Sequence, residues 1–142
     1  MLTLLIATDG SEYSDHAVDY VIARARSCRD PVFAHLLNVQ VQLHGVNVKI
    51  FIRKESIDEY HRDEGMAVLR PACARLEAAG VHCEAHIGVG DAGEVIVEYA
   101  ASKACDEIVM GTQGRGALAG AVMGSVAQKV VYRAKMPVVL VK

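Results

Sequence analysis

Short apolar runs alternate with amphipathic segments along the whole chain. Five of these runs have the length of strands, and most of them are continuously apolar, as strands buried on both faces are. They cover residues 2–7, 32–39, 81–87, 107–110 and 137–141. Strands that alternate with helices are typical of a parallel sheet with helices on both faces. The pattern therefore predicts a three-layer α/β/α fold with an open, Rossmann-like sheet of five parallel strands.

Polar and small residues mark where the predicted helices begin and end. Ser11 or Ser14 can cap a first helix, and Gly80 ends a long helix that covers residues 56–79. The stretch 91–94 resembles a capping box that opens a further helix, and the last helix is expected over residues 124–134. Because an interior proline costs about 3 kcal/mol in a helix, Pro71 predicts a kink or a break in the long helix. Residues 40–55 fit either a short hairpin or an apolar flap.

Length and composition indicate one domain over residues 1–142 and exclude several classes of partner. Lysine and arginine number 15 against 17 acidic residues, and the chain has two Phe, five Tyr and no Trp. It therefore has neither the basic patch nor the aromatic platform of a nucleic-acid-binding protein. The apolar start lacks a positive region and is too short to span a bilayer. We expect a cytoplasmic protein that contacts no membrane.

Cysteine and histidine residues offer little sign of metal or disulfide chemistry at the level of sequence. Cys28, Cys73, Cys83 and Cys105 form no CxxC pair, so we expect reduced thiols. His82 and His86 share one face of the third predicted strand, next to Cys83. No third convergent ligand is evident, so partly exposed strand residues are the favoured interpretation.

A glycine-rich loop after the fourth predicted strand is the strongest functional signal. Gly111 and Gly114 directly follow the strand, and Gly124-Ser125 directly precede the last helix. Residues without Cβ let backbone N–H groups approach an anion, and a helix N-terminus adds unpaired donors and a positive dipole end. The loop matches neither GxxxxGK[ST] nor GxGxxG, which argues against a P-loop NTPase and a dinucleotide-binding enzyme.

Asp9 follows the first strand and faces this loop if the strand order is 3-2-1-4-5, with strands 1 and 4 adjacent at the centre. Ligands of open α/β sheets bind beyond the carboxyl ends of the strands, where the order reverses. Asp9 would then be a ligand to a divalent cation, Mg²⁺ or Mn²⁺, that accompanies phosphates. The alternative is a turn or cap residue, since Asp-Gly-Ser is common in turns.

These residues carry a resemblance to the universal stress protein family, which spans nearly the whole chain. The stretches that carry the resemblance are 4–11, 106–116, 124–127 and 137–141. Its most specific part is the ATP-binding signature G-x2-G-x9-G-[ST], which is found at Gly111, Gly114, Gly124 and Ser125. The resemblance implies an adenine nucleotide alpha hydrolase-like fold, the ATP-binding subclass, and a homodimer formed through strand 137–142. The residues that it places around the nucleotide are Ala7, Thr8, Asp9, Val39, Met110, Gly111, Gln113, Gly114, Arg115, Gly124, Ser125 and Val126.

Binding ranks above catalysis in this interpretation. Phosphoryl transfer needs a positioned metal and a cation that stabilises charge, and the loop lacks the lysine of a P-loop. Arg115 and Lys129 are candidates for that cation, although exposed charged residues are commonly just solvated. We expect an ATP-dependent stress-response regulator or switch with little or no hydrolysis. The alternatives are a slow ATPase and a dimeric scaffold that binds protein partners without nucleotide.

Overall fold

Five parallel strands form one sheet in the order β3-β2-β1-β4-β5, as predicted. The computed structural model describes residues 1–41, 54–116 and 123–142, apart from the side chains of residues 54 and 55. Parallel pairing joins each neighbouring pair of strands, with Leu4 opposite Ala34 on one side of β1 and opposite Glu107 on the other. The strands are β1 (Leu2–Ala7), β2 (Val32–Gln40), β3 (His82–Val89), β4 (Glu107–Gly111) and β5 (Val138–Val141).

Four helices connect these strands within the described residues, and their ends follow the local sequence signals. Ser11, rather than Ser14, caps the first helix, and its side-chain oxygen accepts the N–H of Ser14. Asp91 caps the third helix in the same way by accepting the N–H of Glu94. The helices are α1 (Glu12–Ser27), α2 (Lys54–Ala78), α3 (Ala92–Ser102) and α4 (Ser125–Arg133).

Apolar side chains on the two faces of the sheet build two core clusters, so the fold has three layers. Leu4 and Ile6 of β1 pack with Val18 of α1 and Leu69 of α2 on one face. Leu5, one position along the same strand, packs on the opposite face with α3 and α4. Alternation along the central strand thus sends apolar residues to both helical layers, which is why β1 is almost continuously apolar.

Pro71 does not end the long helix, because α2 continues without interruption from Lys54 to Ala78. The sequence predicted a kink or a break at Pro71, and the break is therefore wrong. Leu69, Ala72 and Leu76, around the proline, are buried against the sheet. Burial of these side chains outweighs one lost backbone hydrogen bond. The expected hairpin or flap at 40–55 lies mostly outside the described residues.

Two smaller observations complete the fold. In the part of the chain that the structure describes, no helix has the length and apolar character needed to cross a bilayer. All four cysteines are free thiols, and Cys105 is buried. Burial raises the pKa of the Cys105 thiol to about 11, which keeps it protonated and unreactive.

Candidate functional site

A cavity of about 460 Å³ opens at the carboxyl ends of β1 and β4, where the strand order reverses. Residues 7–9, at the end of β1, and the glycine-rich loop after β4 both line it. All twelve residues predicted around the nucleotide line this cavity. Seven further lining residues were not predicted, and they are Ser14, Leu37, Ala92, Ile96, Gly116, Met123 and Ala127.

Backbone hydrogen bonds fix the two ends of the glycine-rich loop next to each other. The N–H of Gly124 donates to the carbonyl oxygen of Thr112 at 2.7 Å. The N–H of Thr112 in turn donates to the carbonyl of Val141 in β5 at 2.9 Å. The start of α4 is therefore held directly against the end of β4. Residues 117–122, which include Gly120, lie outside the described part of the loop.

The N-terminus of α4 has no side-chain cap, in contrast to α1 and α3. Gly124 occupies the N-cap position with extended backbone angles, φ −73° and ψ 163°, and it has no side chain that could accept an N–H. Helix geometry leaves the first backbone N–H groups without intrahelical acceptors. Gly124, Ser125 and Val126 all line the cavity. The arrangement offers hydrogen-bond donors and a positive helix end to an anion in the cavity.

Asp9 joins the end of β1 to the glycine-rich loop. One carboxylate oxygen accepts the N–H of Ser11 at 2.9 Å, and the other accepts the N–H of Arg115 at 3.0 Å. A Cβ at Gly114 would lie 2.4 Å from Asp9 Oδ2, so a glycine is needed at 114 for this bond to form. Asp9 is the acidic residue among the described lining residues. Its turn-type contact with Ser11 is observed, and its role as a cation ligand remains a prediction.

Two further glycines permit close approaches in and beside the cavity wall. Gly10 has φ +80°, and a Cβ there would lie 2.7 Å from the guanidinium of Arg115. A Cβ at Gly111 would lie 2.6 Å from Cβ of Tyr13 at the start of α1. These glycines therefore serve the packing of the site as well as its access to a ligand.

The side of the cavity formed by β1 and β2 is largely apolar, and side-chain hydrogen bonds join its elements. Leu37 and Val39 share one face of β2, and both line the cavity. Asn38 donates through its side-chain amide to the carbonyl of Thr8 at 2.9 Å, which ties β2 to the end of β1. The Thr8 hydroxyl donates to the buried hydroxyl of Ser14 at 3.0 Å. The unpredicted residue Leu37 could have been found from Val39 by the period of two along a strand.

Lys129, considered at the level of sequence as a cation for phosphate, is paired with acidic residues instead. Its ammonium lies 2.9 Å from Asp91 and 3.6 Å from Glu94. The hydrogen bond to Asp91 raises the pKa of Lys129, and the same bond lowers the pKa of Asp91. Lys129 is also absent from the cavity wall. Arg115 is the basic side chain that lines the cavity among the described residues.

One histidine of β3, His86, contacts a histidine of the neighbouring strand β2. His86 approaches His35 of β2, with 2.9 Å between Nε2 of His86 and Nδ1 of His35. Glu84 Oε1 lies 3.6 Å from His86 Nε2. The pair suggested by sequence, His82 and His86, is therefore not the pair of imidazoles in contact. His35 lies 51 positions before His86 in the chain, so no local motif signals this contact.

Comparison with known proteins places this glycine-lined α/β fold in a family. A model of the universal stress protein family matches residues 1–142. The chain therefore belongs to the universal stress protein family, which confirms the resemblance seen in the sequence. Universal stress protein MJ0531 of Methanocaldococcus jannaschii is 32% identical over 145 residues, which cover 98% of this chain and 81% of that protein.

Solved structures agree with the fold over its whole length. The hypothetical protein MJ0577 superposes with a TM-score of 0.87 at 27% identity, and the match covers 99% of this chain and 95% of that one. A universal stress protein solved in complex with cAMP has a TM-score of 0.70 at 26% identity, and the match covers 99% of this chain and 97% of that one.

Proposed function

We propose that the cavity binds ATP with Mg²⁺ or Mn²⁺, and that residues 1–142 form one universal stress protein domain that acts as a nucleotide-dependent stress-response switch. The observation that carries the proposal is the uncapped N-terminus of α4, which faces a cavity lined by the complete glycine signature. A volume of about 460 Å³ lies within the range of small-molecule sites. A similar universal stress protein has been solved with cAMP, which is also an adenine nucleotide.

The chemistry of the cavity wall suits the parts of this ligand. Val39 and Leu37 offer an apolar surface for a purine, with Ala7, Thr8 and Met110 beside it. Gly111 and Gln113 are assigned to the ribose. Gly114, Gly124, Ser125 and Val126 are assigned to the phosphates, because N–H groups and a hydroxyl there can donate to anionic oxygens.

Asp9 is the carboxylate available to a cation that accompanies the phosphates. Each of its oxygens accepts one backbone N–H, which leaves further lone pairs for a hard cation such as Mg²⁺. Arg115 is placed to balance phosphate charge. Since Lys129 is engaged by Asp91 and Glu94, a second free cation for phosphoryl transfer is lacking among the described lining residues. This favours binding with little or no hydrolysis.

Calorimetric titration of the purified chain with ATP, with and without Mg²⁺ or Mn²⁺, tests the proposal. We expect saturable binding at one site per chain, and loss of binding in Gly124→Val, whose branched side chain would fill the space of a phosphate oxygen. Ala101→Val on the exposed face of α3 introduces the same branched side chain away from the cavity and is the control. Absence of heat with the wild type would favour a nucleotide-independent scaffold. Phosphate released over hours would favour a slow ATPase.

A homodimer through residues 137–142 is part of the same proposal. β5 is an edge of the sheet, and Pro137 and Val141 direct their carbonyls to β4. By the alternation of a strand, Val138 and Leu140 direct their backbone groups to the free edge. We expect a dimer in sedimentation, with exchange of these two amides slowing as protein concentration rises. A monomer at all concentrations would contradict this part of the proposal.

A further inference from the structure

Three potential metal ligands converge between β2 and the edge strand β3, outside the nucleotide cavity. His35 on β2 is directly opposite Glu84 on β3, and His86 follows two positions later on the same face. One ligand atom from each of these side chains lies within 4.8 Å of the others. The parallel register therefore brings together residues that are far apart in sequence.

The geometry points to a site for a divalent transition metal ion of the zinc class, held by His35, Glu84 and His86. Imidazole nitrogen and carboxylate oxygen are ligands that Zn²⁺ accepts, and three protein ligands leave a fourth position for water. Two imidazoles argue against Mg²⁺ and Ca²⁺, which prefer oxygen ligands.

The distances are close to those of a coordinated ion. The two imidazole nitrogens are 2.9 Å apart, which requires one shared proton between them. Two nitrogens on a tetrahedral zinc ion lie about 3.3 Å apart, given the usual bond lengths. A metal ion can therefore take the position between the two nitrogens after a displacement of a few tenths of an ångström, with the donor imidazole changing tautomer so that its proton is on the other ring nitrogen. Glu84 Oε1, at 3.6 Å from His86 Nε2, is already near such a separation.

The surroundings fix the two rings and leave a way in for the ion. Phe33 packs edge-on against His35, with ring centroids 4.9 Å apart, and Tyr99 of α3 lies 5.7 Å from His86. His35 is 8% exposed, whereas the side chain of Glu84 is 54% exposed. An ion entering beside Glu84 would cross-link the edge strand to the interior of the sheet.

Titration of Zn²⁺ into the metal-free full-length chain without nucleotide tests the site. We expect one ion per chain and a higher Tm for the zinc-bound protein, since the ion binds the folded state. His86→Gln should weaken zinc binding by at least about 100-fold, because it removes a direct ligand. Glu84→Gln should weaken it less and, as an exposed substitution, keeps the test valid if His86→Gln fails to fold. His82→Gln, an exposed histidine on the same strand, is the matched control and should bind like the wild type.

Two results would overturn the inference. One is a wild type with no saturable zinc binding, which would leave the histidine pair as a simple hydrogen bond. The other is unchanged affinity in Glu84→Gln and His86→Gln, which would place the ion elsewhere. Co²⁺ serves as a spectroscopic probe for metal binding by the cysteines. A thiolate-to-metal charge-transfer band would also contradict a site formed by histidine and glutamate. Because nucleotide is omitted throughout, these outcomes are independent of ATP binding.

Discussion

The N-termini of α1 and α3 differ from that of α4 in what satisfies their backbone N–H groups. Ser11 and Asp91 each accept an N–H from the first turn of their own helix. Gly124 leaves the first turn of α4 without such an acceptor, and Gly124, Ser125 and Val126 all line the cavity. Among the helix starts whose caps the structure describes, α1 and α3 thus carry a side-chain cap, whereas α4 presents its first N–H groups without one. The proposed anionic ligand would supply the acceptors that this helix end lacks.

The largest effect on ATP binding is expected when α4 receives the side-chain cap that it lacks. In Gly124→Asp the new carboxylate accepts the N–H groups of α4 and repels phosphate. Each charge-assisted hydrogen bond lost to the ligand is worth about 1.5–3 kcal/mol, so ATP affinity should fall by at least about 100-fold. A Cβ at 124 meets its nearest neighbours at 3.4 and 3.5 Å, so the fold accommodates it.

The expected signature is loss of binding without loss of stability. Asp at an N-cap is better than Gly by a few tenths of a kcal/mol, so the Tm of Gly124→Asp should equal or exceed that of the wild type. Gly124→Asn supplies the cap without the charge and should show an intermediate loss of affinity. Wild-type affinity in Gly124→Asp, measured by calorimetry, would remove α4 from the phosphate site.

Asp9, across the cavity from α4, provides the second test. Gly114→Ala puts a Cβ 2.4 Å from Asp9 Oδ2 and must displace the carboxylate from the N–H of Arg115. A hydrogen bond of this kind is worth about 1.5 kcal/mol. If the bond holds the loop in the shape that binds ATP, its loss should weaken ATP binding about tenfold. In the double variant Asp9→Ala/Gly114→Ala the clash is absent, so the two effects should be less than additive. Strict additivity in calorimetry would mean that the bridge between Asp9 and the loop is irrelevant to binding.

The fold and the centre of the cavity could be predicted because their signals are local. Continuous apolar runs gave the five strands, and the spacing of Gly111, Gly114, Gly124 and Ser125 gave the loop and the helix end. Given the strand order 3-2-1-4-5, Asp9 was then expected opposite that loop. The strands, the loop and the helix end are each marked by residues whose spacing is set by one element or by one turn.

What could not be predicted depends on register and packing between elements. Ile96 reaches the cavity because α3 packs over β2, and no pattern within α3 shows this. His35 meets His86 through the pairing of β2 with β3. Pro71 was expected to interrupt a helix on local propensity, whereas burial of Leu69 and Leu76 holds α2 together. Tertiary contacts decided all three.

Removal of the side-chain cap of α1 should lower the stability of the fold without changing ATP affinity. Ser11→Ala deletes the oxygen that accepts the N–H of Ser14 and should cost about 1 kcal/mol. The bond from the N–H of Ser11 to Asp9 is a backbone contact and survives the substitution. Ser11 does not line the cavity, so ATP affinity should stay at the wild-type level. Denaturant unfolding and calorimetry on the same samples check this, and a parallel loss of affinity would contradict the separation of the two kinds of helix end.

The smallest effect concerns the pH dependence of the Asp91 cap. The hydrogen bond from Lys129, then that from the N–H of Glu94, lowers the pKa of Asp91 below its ordinary value of 3.8. A carboxyl whose pKa is lowered by folding stabilises the fold above its unfolded pKa, and this contribution disappears as the pH falls through the folded value. Lys129→Met keeps the stem that packs on Gly93 but removes the charge.

The variant Lys129→Met should therefore be slightly less stable than the wild type at neutral pH and equal to it well below pH 3.8, where Asp91 is protonated in both proteins. Because both partners are partly exposed, the difference should also shrink in high salt. Thermal unfolding at the two pH values measures it, and the Asp91 carboxyl signal in NMR should titrate at higher pH in the variant. A stability difference that persists at low pH would mean that Lys129 acts through its packing and that the α3 cap is independent of its charge.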